Sequence, residues 1–234
     1  NPDLVNGGQV WFWPKDISFD GYKSLFADDG VMRGYVNTLI YTTGGTLINL
    51  AVTLPAAYAL SRRDFVGRKF FTLMFLFTMF FSGGLIPTFL TVKSLGLYNN
   101  PWVMVILGAT SMTNIIISRT FFETNIPNEL REAAEIDGCS NTRFFFSIVL
   151  PILQPSLIST GILQAMWIWN DYLLPYLTLD LGKYKTISVA VQYLKGGYGS
   201  VDMGAMMACL VMAIIPIIIF YLICQKYIVK GVMA

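Results

Sequence analysis

Five apolar runs, each long enough to cross a lipid bilayer and separated by short polar connections, limit this chain more than any other feature. A spanning helix needs about 20 mostly apolar residues. The runs lie at 33–60, 70–90, 102–122, 153–177 and 203–228. Inside a bilayer every backbone N–H and C=O must be paired within the protein, and a helix does this within one segment. The expected fold is therefore all-α: a polytopic transmembrane helical bundle with five spans. Residues 33–234 are expected to form the membrane domain, preceded by a polar and aromatic segment at 1–32. In that segment Trp11, Phe12, Trp13 and Pro14 precede Asp16, Asp20, Asp28 and Asp29. The rings suit a membrane–water interface, and a packed surface loop suits them equally.

The runs differ in character. The first carries Gly44, Gly45, Ala51, Ala56, Ala57 and Ala59, small residues that let helices approach closely, and Pro55 predicts a kink. In the second, Ser82-Gly83-Gly84 followed by Pro87 predicts a broken or bent outer half. Its Phe70, Phe71, Phe75, Phe77, Phe80 and Phe81 read as lipid-facing or packing residues rather than a pathway. Thr110 to Asn114 in the third run read as hydrogen-bonding glue between helices. Pro216 predicts a kink in the last run.

Orientation follows from local charge. The connection 61–69 holds Arg62, Arg63, Arg68 and Lys69, whereas 91–100 holds only Lys93. Basic connections stay in the cytoplasm, so alternation places 125–151 there too, with 1–32 and 180–200 outside.

Several function classes are excluded by what the chain lacks. With 55% hydrophobic and 13% charged residues and a net charge of +2, it is neither an ordinary soluble domain nor an evident nucleic-acid binder. It has no His, the commonest general base and metal ligand, so no catalytic residue and no metal site is expected. Cys139, Cys209 and Cys224 form no spaced framework and read as small packing residues. There is no G-x-x-x-x-G-K-[ST] loop for ATP, and no span holds a chain of ionisable groups to relay protons. Energy for any transport must then enter from another subunit.

A polar and acidic interruption, Asn125 to Pro151, separates the third run from the fourth. Pro127 suits a first helical position, Glu129 the positive end of the helix dipole, and Gly138 a left-handed stop. Ser140 and Asn141 are good caps for a second helix, which Pro151 is expected to end. Leu130, Ala133, Ala134 and Asp137 share one face of the first helix, a stripe of small residues flanked by Glu129, Glu132 and Glu135. Such a stripe fits a hydrophobic groove with a basic rim.

Glu132-Ala133-Ala134, three residues, Gly138, nine residues and Ile148-x-Leu150-Pro151 together resemble the EAA motif of permease subunits of bacterial ABC importers. The resemblance implies that 123–151 is a cytoplasmic coupling loop, with Leu130, Glu132, Ala133, Ala134, Asp137 and Gly138 docking into the ATPase. In the fourth run, Trp167, Trp169, Asn170, Asp171 and Tyr172 resemble the tryptophan-asparagine-acid segment of sugar-type permeases. They are candidates for the substrate pathway, because flat rings beside amide and carboxylate groups suit sugar rings and hydroxyls. Two placements of Asp171 stay open: within the span, where a carboxylate is costly and functional by default, or at the outer interface near Pro175. Ser82 to Thr88 resemble the branch that includes the LplC and YtcP types, associated with oligosaccharides.

Carried further, the resemblance implies a second and different permease subunit, two ATPase subunits that bind the ATP and Mg, an extracellular substrate-binding protein and a carbohydrate substrate. Membrane lipid is the remaining partner, and this chain holds no cofactor. Such permeases usually have six spans, so one amino-terminal span is expected to be missing. Residues 225–234 resemble the family's short basic cytoplasmic tail. A secondary transporter driven by an ion gradient is the alternative reading. The lack of intramembrane charge pairs and of an internal repeat argues against it. A membrane enzyme ranks last.

Overall fold

The computed structural model describes residues 18–194 and 203–232, and every regular element among them is helical. The expectations for Trp11, Phe12, Trp13, Pro14 and Asp16, and for the side chains of the basic tail beyond Gln225, lie outside the described residues.

A short helix α1 (Asp20–Ala27) leads into α2 (Asp29–Ser61), the longest element. The Asp28 side chain starts α2 by accepting from the N–H groups of Gly30 and Val31, at 2.7 and 3.3 Å. Pro55 lies inside this helix, and Arg62 ends it in an extended conformation. At about 1.5 Å per residue, α2 is longer than the hydrocarbon core is thick. That length lets its termini meet loops on both sides of the bundle. At one end Arg33 and Asn37 donate to carbonyls of Gly182, Lys183 and Lys185; at the other, Arg62 donates to Asn141.

Three of the remaining spans are broken. Helices α3 (Arg68–Phe80) and α4 (Leu85–Ser94) meet at 114° across 81–84, where Gly84 adopts φ +88°. The Ser-Gly-Gly segment supplies the freedom that this reversal requires. Helices α5 (Trp102–Gly108) and α6 (Met112–Asn125) meet at 45°, and Ser111 caps the second half by accepting from the Asn114 N–H. Beyond α7 (Asn128–Ile136), helix α8 (Asn141–Phe144) widens into a π-turn, Phe145–Val149, and closes with Leu150–Ile152. It then turns by 81° into α9 (Gln154–Asn170). Helices α10 (Leu173–Thr178), α11 (Ile187–Leu194) and α12 (Met203–Val232) complete the chain. By length and composition α2 and α12 each cross a membrane alone, and the three bent pairs bring the number to as many as five.

Three expectations need correction. The run 153–177 is not one helix: it stops at Asn170, because the Asp171 side chain accepts from the Leu174 N–H at 3.2 Å and so starts α10. Pro151 does not end the second loop helix; it lies within it. The π-turn makes room by passing the Leu150 N–H to the carbonyl of Phe145, five residues back, just before the residue that has no N–H to give. Pro127 sits one position ahead of α7, not on it.

Helices α2 and α9 are central. On one side of the bundle Leu54, Ala57 and Leu60 pack with Ile115, Phe122, Phe144, Phe145 and Val149. On the other, Trp169 joins Leu25, Val31, Ile187, Ala190 and Cys209. Gly45 admits the Ile168 side chain: a Cβ there would lie 2.7 Å from its Cδ1. Between the two clusters runs a chain of neutral amides. Asn49 donates to the Gly108 carbonyl at 2.9 Å, and Gln164 donates to the same oxygen at 3.1 Å. Asn114 donates to Gln164 Oε1 at 2.8 Å, and Thr53 to Asn49 Oδ1 at 3.2 Å. Breaking the third span strips the Gly108 carbonyl of its helical partner, and two buried side chains replace it. Asn114 thus acts as the glue read from Thr110–Asn114.

Candidate functional site

Helix α7 projects from one end of the bundle. Gly138 follows it with φ +73°, and the Cys139 N–H returns to the Ala134 carbonyl at 2.9 Å, the left-handed stop expected there. Ser140 caps the next helix through the Arg143 N–H at 3.4 Å. The structure splits the expected small-residue stripe. Leu130 and Ala134 face inward and pack on the cluster of Leu60, Phe122 and Phe144. Glu132, Ala133, Asp137 and Gly138 are exposed. The free face of α7 therefore consists of Glu129, Glu132, Ala133 and Ile136, which follow the i, i+3, i+4, i+7 rule one step round from the stripe. Ile136 is 86% exposed and was missed in the sequence, although its spacing from Glu129 and Glu132 marks the same face.

The end of the bundle that carries α7 also carries the 62–67 connection, as the charge argument requires. Arg131 of α7 donates to Asp64 at 3.3 Å, and Arg62 donates to both Asp64 oxygens, at 3.0 and 2.5 Å. The Arg62 hydrogen bonds hold the Asp64 carboxyl well below the usual carboxylate range.

The pathway candidates divide. Trp167, Asn170, Asp171 and Tyr172 line a cleft of 670 Å³ together with Gln164 and the backbone at Gly108. Trp167 is 75% exposed. Trp169 is not among them. It lies 6% exposed on the opposite side of α9, donates its Nε1–H to the Ala213 carbonyl of α12 at 3.1 Å, and meets the Tyr35 ring edge to face at 6.2 Å. Asn170 donates back to the Met166 carbonyl. Gln164, unmarked in the sequence reading, belongs both to the cleft and to the amide chain. No group of metal-ligating side chains occurs among the described residues.

These features define a polytopic membrane protein with a broken-helix core and an exposed acidic helix at one end. The chain belongs to the family of binding-protein-dependent transport system inner membrane components, whose profile matches residues 30–234. It is 35% identical to the polygalacturonan/rhamnogalacturonan transport system permease protein YtcP of Bacillus subtilis (strain 168), over 232 residues covering 93% of this chain and 81% of that one. Protein LplC of the same organism is 34% identical, over 95% of this chain and 80% of its own. Among solved structures, a bacterial ABC transporter involved in import of the acidic polysaccharide alginate matches with TM-score 0.89 and 31% identity, over 97% of this chain and 85% of that chain. The fold is thus that of an ABC importer transmembrane subunit. The reading as an ion-driven carrier falls away.

Proposed function

We propose that this chain forms one half of the translocation pathway for a carbohydrate, specifically an oligosaccharide, and that α7 couples it to ATP hydrolysis. The observation that carries the coupling role is the free face of α7, where exposed Ile136 follows Glu129, Glu132 and Ala133 along one side of the helix. An apolar knob ringed by carboxylates fits a groove with a basic rim. Asp137 and Gly138 shape the turn beside it, while Leu130 and Ala134 anchor the helix to the spans. For the substrate, support comes from the saccharides named for YtcP and the alginate importer, and from rings and amides lining the cleft at Trp167.

In this reading the complex contains a second, different permease, two ATPase subunits holding ATP and Mg, and an extracellular binding protein. The chain catalyses no covalent chemistry. Its coupling loop and carboxyl terminus face the cytoplasm, and residues 1–32 face outward. Nucleotide binding closes the ATPase pair, and α7 carries that motion into the bundle.

The test is purification of the complex from native membranes, with mass spectrometry of what accompanies the chain. Wild type is expected to bring a sugar-type ATPase, a second permease and a binding protein. Glu132→Arg and Ile136→Asp are expected to insert normally and lose the ATPase. Undiminished recovery of the ATPase with both variants would overturn the assignment of the docking face.

A further inference from the structure

We propose that the connection between α2 and α3 is the second half of the coupling device, with Asp64 as the positioning residue that makes it move together with α7. The inference rests on the coupling role proposed above for α7.

Motion imposed on α7 passes directly along the backbone to α6 before it and α8 after it. Helices α2 and α3 have no such connection. Leu130 and Ala134 pack on the apolar cluster that includes Leu60 at the end of α2. Beside that contact lies a cavity of 320 Å³, lined by Tyr58, Arg62, Arg68, Glu123, Arg131 and Phe144. Close packing therefore does not fill the gap between α7 and the α2–α3 corner, and directional polar contacts cross it.

Asp64 is the centre of those contacts. It accepts from Arg131 of α7 at 3.3 Å and from Arg62 through two bonds. Arg62 donates onward to Asn141 Oδ1, at the start of α8, at 2.8 Å. One carboxylate thereby ties the end of α2 to both sides of the coupling loop. A second set guards the other edge: Arg68, the first residue of α3, pairs with Glu123 of α6, which also accepts from Arg119 at 3.0 Å. Arg119 in turn donates to Thr72 of α3 at 3.2 Å.

The Asp64 side chain is half exposed, and exposed ion pairs add little to folding stability. Bonds that fork from one guanidinium to one carboxylate do fix relative orientation. A rigid joint that travels as a unit uses that property; a merely folded loop has little need of it. Burial is not what holds the charge. Arg62 keeps Asp64 ionised throughout the cytoplasmic range, so the joint does not open by protonation.

The joint can be read by spin-label distances in the purified full complex in lipid nanodiscs. One label replaces Val66, which is 92% exposed at the tip of the connection, and the other replaces the exposed Asn128 at the start of α7. Cys139, Cys209 and Cys224 are replaced by Ala. The expected result is one narrow distance, identical without nucleotide and in the vanadate-trapped state. Asp64→Asn is expected to broaden it and shift it between the two states, and Asp64→Glu to restore the narrow, unmoving distance.

A distance that shifts on trapping with Asp64 intact would overturn the proposal, as would an Asp64→Asn distribution as narrow and fixed as the parent's. If Asp64→Asn does not assemble, the parent and Asp64→Glu distances still decide. Failure of the underlying coupling role appears separately, as labelled parent protein that carries no ATPase.

Discussion

The middle of the bundle and its α7 end both join helices through polar groups, yet they use different chemistry. In the middle the partners are uncharged: Asn49, Asn114, Gln164, Thr53 and a stranded Gly108 carbonyl, linked in one chain of hydrogen bonds. At the α7 end they are charged: Arg62, Asp64, Arg131, Glu135 and, nearby, Arg68, Glu123 and Arg119. Desolvation explains the division. A buried amide costs little once paired, whereas a charge withdrawn from water loses more than a partner readily returns. The interior amides are consequently part of the stability of the fold, and the surface charges are part of its mechanics.

Removing an amide is the strongest way to break that distinction. Asn49→Leu leaves the Asn114 and Thr53 donors short of an acceptor and the Gly108 carbonyl with one donor fewer, at a site fully closed to solvent. The expected loss is about 1–3 kcal/mol, read by denaturant titration in mixed micelles. A loss no larger than the roughly 0.6 kcal/mol average of interhelical hydrogen bonds in membranes would place the amides on the same footing as the surface pairs. Gln164→Leu is milder, because Asn114 and the Gly108 carbonyl each keep Asn49 as a partner; about 1 kcal/mol is expected by the same titration. Asp64→Asn should change stability by no more than about 1 kcal/mol, though it removes a charge from three linked segments. A larger loss would make the corner a structural element and weaken its mechanical reading.

The same contrast governs what the sequence disclosed. The all-helical membrane fold, the break at Ser82–Gly84 and the stop at Gly138 were legible because hydropathy and glycine conformation act locally. The side of α7 left free was not. Leu130, Ala133 and Ala134 have similar polarity, and only packing on the cluster of Phe122, Phe144 and Leu60, the last distant along the chain, decides which of them turn inward. Trp169 looked like Trp167, but a helix turns about 100° per residue, so the two rings lie about 200° apart, and α12 occupies the side to which Trp169 points. Asp171 was read as a charge inside or beside a span. Its capping of α10 depends on a chain break that no periodicity announces. The amide chain was half visible, since Asn114 stood out in an apolar run while Asn49 and Gln164 did not.

The smallest expected effect concerns pH. Arg62 lowers the Asp64 carboxyl in the folded protein below its unfolded value, so any stabilisation from this group is fully present above the unfolded value, near about pH 4. It is lost only as pH falls through the lower, folded value. Between about pH 5 and 8 the group binds no proton in either state, and the slope of stability with pH from this source is zero. The difference in stability between the parent and Asp64→Asn should therefore stay constant across that range and shrink only in stronger acid. The amide chain has no titrating member, so the difference for Asn49→Leu should be flat as well. A parent-minus-Asp64→Asn difference that changes near neutral pH would mean that another group titrates against the corner. Arg62 and Arg131 would then not suffice to hold the joint shut.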